Sequence, residues 1–189
     1  MATLITEFKA RAVEFGGRGI FKKSALHIRD GAGVFERALS SGSFRTVLEI
    51  GTYRGVTAAY LANFCDHVIT IDLLHGRMEQ RGELFDRVAF WRHMGVADKI
   101  DLWLVINDYE KRAVIQKMNF DFAFVDGAHD ERVALDFELT RRCGRVLFHD
   151  ADDNGPGRSN CVHEFIRTLP ADEVEFMDKD LFAMWKASA

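Results

Sequence analysis

Apolar positions recur at three- and four-residue intervals over residues 3–15 (Leu4, Ile5, Phe8, Ala12, Val13) and stop at Gly16-Gly17, which predicts an amphipathic helix. A second helix is expected over about 32–40. From residue 46 the pattern changes. Short apolar runs at Thr46–Ile50, Val68–Ile71, Ile100–Ile106, Phe120–Val125 and Arg145–Phe148 read as strands. Between them lie helical stretches over Thr57–Phe64, 73–97, Tyr109–Met118 and Glu131–Arg142, with a further helix at about 161–168. Two late strands are expected near 173–177 and 181–186. Nearly continuous apolar strands alternating with helices predict an α/β fold, a largely parallel, doubly wound sheet with helices on both faces.

Ligands of such sheets bind beyond the carboxyl ends of the strands, so the strand ends are the informative positions. In order they are Glu49/Gly51, Asp72, Asn107-Asp108, Asp126 and His149-Asp150. Any one acid there is ordinary, because aspartate favours turns and helix caps. Five in succession point to a site.

The stretch "VLEIGTYRGVTAAYL" (47–61) reads as strand, glycine turn, helix. It is neither G-x-G-x-x-G nor a phosphate loop ending in Lys-Ser/Thr. Asp72 ends the next strand 21 residues after Gly51, where a carboxylate can accept hydrogen bonds from both ribose hydroxyls. Glu49, Asp108, Asp126 and Asp150 surround this turn with negative charge. That field repels a pyrophosphate and favours a cation. S-adenosylmethionine is such a ligand, with a ribose, a sulfonium and an ammonium group but no phosphate.

On these residues the chain resembles the class I S-adenosylmethionine-dependent methyltransferases. "LEIGTYRG" is similar to their motif I (E-x-G-x-x-x-G), and "VITIDL" to their second motif. "FDFAFVDGAHDERVALDFEL" and "GRVLFHDAD" resemble a narrower subgroup with D-G-x-H after strand four and H-D after strand five, the small-molecule O-methyltransferases of the sugar/macrolide type. The resemblance covers about residues 44–185. It implies a Rossmann-like seven-stranded sheet with the last strand antiparallel, in one methyltransferase domain over 1–189: an N-terminal helical segment (1–43) and a cofactor-binding core (44–189). It also implies that Glu49, Gly51, Tyr53 and Gly55 line the methionine side, with Asp126 beside them. Asp72 would bind the ribose, and Asn107 and Asp108 would sit near the adenine.

Methyl transfer to a hydroxyl needs alignment, exclusion of water and a way to remove a proton. Candidate bases are His129, three residues after Asp126, and His149. Each also has a bland reading: His129 as a surface residue in a capping turn, His149 as a hydrogen-bonded core residue. Mg²⁺ is the other candidate device. Asp126 and Asp150 match the first two ligand positions of metal-dependent relatives. The third departs from the pattern, since Ala151 follows Asp150, and Asp152 or Asp153 would have to substitute. His75, His93 and His163 read as surface or structural residues.

Residues 73–97, with 16–31, could cover an acceptor pocket; Phe85, Phe90 and Trp91 would then face substrate or else pack on the sheet. "DDNGPGRSN" has the turn residues of a lid, and Arg158 there could meet an anionic acceptor.

Composition narrows the classes. At 189 residues, 48% hydrophobic and 29% charged, the chain suits one soluble domain. A net charge of −4 supplies no field for nucleic acid, and the local cluster Arg18, Lys22, Lys23 and Arg29 reads as a solvated helix face. Cys65, Cys143 and Cys161 form no pairing or zinc pattern and suggest a reducing compartment. Glu7 and Lys9 stand where a signal peptide would be apolar, and no window approaches the roughly 18 apolar residues of a membrane span. The expectation is a cytoplasmic protein with a small-molecule acceptor and no nucleic-acid or membrane partner, in which a homodimer could complete the pocket. The competing readings are a methyltransferase acting on a macromolecule, a nicotinamide-dependent oxidoreductase, and a non-catalytic binding protein that keeps the cradle.

Overall fold

Each apolar run becomes a strand in the computed structural model, which describes residues 4–21, 26, 31–40, 42–74, 85–127, 130–152, 160–177 and 181–188. The strands are β1 (Thr46–Ile50), β2 (His67–Leu73), β3 (Ile100–Val105), β4 (Phe122–Val125), β5 (Arg145–His149), β6 (Val174–Met177) and β7 (Phe182–Lys186). The described α-helices are α1 (Leu4–Gly16), α2 (Gly31–Ser40), α3 (Val56–Leu61), α4 (Arg87–Met94), α5 (Asp108–Ile115), α6 (Arg132–Thr140) and α7 (Cys161–Ile166). Of the expected 73–97 stretch, α4 is the α-helical part among the described residues. Asp86 caps it by accepting from the Ala89 N–H, and left-handed Gly95 ends it. Residues 75–84, including His75, Met78 and Leu84, lie outside the described residues.

The sheet order is β3-β2-β1-β4-β5-β7-β6. Strands β1 to β5 pair in parallel, and β7 inserts antiparallel between β5 and β6. The last strand is therefore antiparallel to the rest, as expected. Strand order reverses between β1 and β4, and the ends of these two strands open onto the cleft described below.

Alternate strand residues serve two cores. Val47, Val68, Phe122, Phe124 and Leu147 pack with α1 to α4 on one face. Leu48, Ile71, Ala123, Val146 and Phe148 pack with α5 to α7 on the other. Phe35 of α2 meets Phe124 edge-on at 4.9 Å, and burying a side chain of that size contributes about 1.5–3 kcal/mol. Phe90 and Trp91 belong to the first core, which settles their two readings in favour of packing; Phe85 lies partly buried against it. No described helix is long and apolar enough to cross a membrane.

Candidate functional site

The β1–α3 turn is held from three directions. Gly51 has φ +104°, and a Cβ there would lie 2.2 Å from the Asp126 carbonyl oxygen. Only glycine lets the end of β1 pass so close to the end of β4. The Gly51 N–H donates to the Ile71 carbonyl at 2.8 Å and the Asp126 N–H to that of Ile50 at 2.9 Å, so three strand ends are tied together. Gly55, left-handed at φ +70°, starts α3. A Cβ on it would lie 2.6 Å from the Trp91 ring, whose Nε1–H donates to the Gly55 carbonyl at 2.8 Å. Gly55 thus makes room for a tryptophan of the protein itself, so it can face a methionine moiety only through its backbone. Between the two glycines, Tyr53 is left-handed (φ 45°) without being glycine. Gly51, Tyr53 and Asp126 line a cleft with Ile20 and Arg54. Arg54 also donates to the Gly19 carbonyl at 2.9 Å, drawing the 3₁₀ turn Arg18–Phe21 to the cleft.

Glu49 is completely buried beneath this turn. The Thr70 hydroxyl donates to its Oε2, and the Thr52 and Thr70 hydroxyls lie 2.6 Å apart. Among the described residues its Oε1 has no hydrogen-bond partner. Burial pushes the carboxyl well above its usual pKa; the Thr70 bond opposes this, and the nearby Asp126 and Asp72 charges reinforce it. A buried acceptor without a donor is costly in a folded protein and so points to a missing cationic or donor group.

Asp72 ends up beside the turn, as its spacing predicts. Its Oδ2 accepts from the Tyr53 N–H at 2.8 Å and from Arg87 Nη2 at 3.3 Å, and its Oδ1 from the Leu73 N–H at 2.9 Å. Arg87 was not singled out from the sequence. It lies 34 residues from Tyr53, and no local pattern marks its destination.

Asn107 and Asp108 stand at the start of α5. Asn107 caps α5 by accepting from the Glu110 N–H at 2.9 Å. Asp108 pairs with buried Lys111 at 2.8 Å, and the same ammonium meets buried Asp136 at 2.6 Å. Burial raises the Asp136 pKa, and Lys111 counteracts it. One ammonium of α5 therefore serves two carboxyls, Asp108 on its own helix and Asp136 on α6.

At the ends of β4 and β5 the structure brings Asp126, His149 and Asp150 together, with candidate ligand atoms all within 4.8 Å. His149 Nδ1 lies 2.9 Å from an Asp126 oxygen and 3.1 Å from one of Asp150. Asp150 is left-handed (φ 54°), a conformation aspartate tolerates better than most residues. The imidazole is buried and packs against the Phe182 ring at 4.9 Å. Burial disfavours its charge, but the two carboxylates outweigh burial and push the pKa up to about 10. The pair of carboxylates thus favours the protonated imidazole. Among the described residues its buried Nε2 has no hydrogen-bond partner.

The Asp152 side chain is not part of this group. Its carbonyl, like that of Asp150, accepts from Asn160 Nδ2 at 2.7 Å. Among the described residues the donor set is two carboxylates and an imidazole nitrogen, where Mg²⁺ favours oxygen alone; Asp153, the other expected third ligand, lies outside the described residues. His93 and His163 are structural: their ring nitrogens meet the Arg11 and Ala151 carbonyls at 2.9 and 2.7 Å. His129, Asp153 and Arg158, with Lys22, Lys23 and Arg29, lie outside the described residues.

No family model and no curated protein matches this chain. Solved structures do. An O-methyltransferase from Bacillus cereus in complex with SAH is 15% identical, with 96% of this chain and 91% of that one covered and a TM-score of 0.67. A putative caffeoyl-CoA O-methyltransferase from Staphylococcus aureus is also 15% identical, with 98% and 100% covered and a TM-score of 0.64. The O-methyltransferase TomG from Streptomyces achromogenes, involved in tomaymycin synthesis and in complex with SAM, is 16% identical over the whole of both chains, with a TM-score of 0.60. The chain therefore has the Rossmann-like α/β fold of these methyltransferases.

Proposed function

We propose that this protein is an S-adenosylmethionine-dependent methyltransferase that methylates a hydroxyl group of a small molecule. The observation that carries the reading is Glu49: a buried carboxyl with an orphaned oxygen, beneath a glycine turn, at the point where strand order reverses. The ammonium of the cofactor's methionine part would supply the missing partner, and its charge would allow Glu49 to ionise. Asp72, at the end of β2 beside the turn, would receive the ribose hydroxyls. Two of the solved structures named above, from Streptomyces achromogenes and Bacillus cereus, hold SAM and SAH, which supports the same cofactor here.

When bound, the cofactor supplies an electrophilic methyl group on sulfonium. The chain's own residues then orient the acceptor and receive its proton. Asp126 presents a carboxylate to the cleft, and the His149 imidazole held between it and Asp150 would fix its direction. As the hydroxyl oxygen bonded to the methyl carbon and the carbon–sulfur bond broke to leave S-adenosylhomocysteine, a carboxylate of this array would take the hydroxyl proton. His129 remains a candidate second base.

The net charge of −4 favours a small-molecule acceptor over nucleic acid. Three free cysteines agree with a cytoplasmic location, and a second copy of the chain is the expected partner if the acceptor pocket is shared.

Calorimetric titration with S-adenosylhomocysteine, with NADH as control and with or without Mg²⁺, tests the proposal. Micromolar binding of S-adenosylhomocysteine alone, unchanged by Mg²⁺, is expected. Binding of NADH alone would move the protein to the oxidoreductase reading, and silence toward both to a non-catalytic one.

A further inference from the structure

We infer that Arg87 is a positioning residue of the cradle: with Asp72 it clamps Tyr53 in the left-handed conformation on which the shape of the β1–α3 turn depends. The inference deepens the cofactor reading above and rests on it for its functional consequence.

Tyr53 is a bulky residue in a region of backbone space that favours glycine, and such a residue persists only where its surroundings impose it. Both of its backbone polar groups are taken by one ion pair. Its N–H donates to Asp72 Oδ2 at 2.8 Å, and its carbonyl accepts from Arg87 Nε at 2.5 Å. Arg87 Nη2 closes the ring, 3.3 Å from the same Asp72 oxygen. The side chains of Arg87 and Asp72 are 7% and 18% exposed, so solvent screens the pair little. The planar guanidinium reaches a carbonyl and a carboxylate with two N–H groups at fixed spacing, which a lysine ammonium does not reproduce.

The same carboxylate that would meet the ribose therefore also fixes the turn that would meet the methionine part. Arg87 keeps it aimed while Tyr53 and Arg54 line the cleft. The simpler alternative is that Arg87 only ties α4 to the body of the protein. The two differ in one respect: a clamp on Tyr53 becomes unnecessary when residue 53 adopts the left-handed conformation without cost, and a tie does not.

A double-mutant cycle of R87Q and Y53G separates them, read by calorimetric titration with S-adenosylhomocysteine and by urea unfolding without ligand. R87Q is expected to weaken binding about tenfold or more in the Tyr53 background and less than about threefold in the Y53G background, since contacting groups couple while independent ones add. R87K should behave like R87Q, and it carries the cycle if R87Q does not fold. Equal losses in both backgrounds, or no loss in either, overturn the clamp. If the wild-type protein does not bind S-adenosylhomocysteine, the cofactor reading fails and the unfolding cycle decides the clamp alone: a midpoint shift that vanishes in the Y53G background supports it, and an equal shift overturns it.

Discussion

Glu49 is held at the expense of its own solvation. Its folded-state pKa lies well above the ordinary value of 4.5, so the ionised form destabilises the unliganded chain as pH rises above that value. Glu49→Gln removes the ionisation and keeps the shape. It should stabilise the unliganded protein at pH 7 by on the order of 1 kcal/mol, and weaken S-adenosylhomocysteine binding about tenfold, because a charge-assisted partner of the ammonium is lost. Urea unfolding and calorimetry on one preparation check both signs; a variant that is less stable and binds normally would remove Glu49 from the site. The acid itself was legible, two positions before a glycine at a strand end. Its orphaned oxygen was not, because satisfaction of a buried group depends on Thr70 of a neighbouring strand. Gly51 was legible as a turn residue, but the Asp126 carbonyl that its missing Cβ admits was not.

Helix α4 acts on the site as an element. Arg87 and Trp91 are four residues apart, hence on one face, and both donate to carbonyls of the same turn, those of Tyr53 and Gly55. The helix also packs on α1, with Phe15 against Phe90 at 5.5 Å. Trp91→Phe keeps most of the buried ring and removes its bond to Gly55. We expect a loss of about 1 kcal/mol in unfolding free energy and a several-fold loss in S-adenosylhomocysteine affinity. Unchanged affinity in a destabilised variant would confine Trp91 to the core. Periodicity identified the apolar positions of this stretch, but charged and aromatic residues that face inward toward a distant turn carry no periodic signal.

At the scale of the whole molecule, one sheet brings β1, β4 and β5 side by side, and with them Glu49, Asp126 and His149-Asp150. The Asp126–His149–Asp150 array links the ends of two strands, so its titration affects global stability. The His149 pKa is raised from 6.5 to about 10. Its contribution is fully present below about pH 6.5 and is lost as pH rises through about 10. The unfolding free energy should fall by roughly a few kcal/mol between pH 7 and pH 10.5, and the fall should flatten in His149→Gln. A wild-type profile as flat as the variant's would show that the imidazole is not charged in the folded state.

The sequence alone determined the fold class, the order of strands and helices, the acidic strand ends and the glycine turn. These follow from local propensity and from the periodicity with which apolar residues must face a core. Asp72 was legible for the same reason, since its distance from Gly51 is the length of one strand–helix–strand unit. Tertiary structure alone decided which of these residues would meet. It paired Asp108 with Lys111 and Asp136, turned Asn107 into a cap, left Asp152 outside the carboxylate pair and put His149 within it. Charge pairing and burial are properties of side chains from separate elements, and a charge reads as free in the sequence until packing supplies its partner.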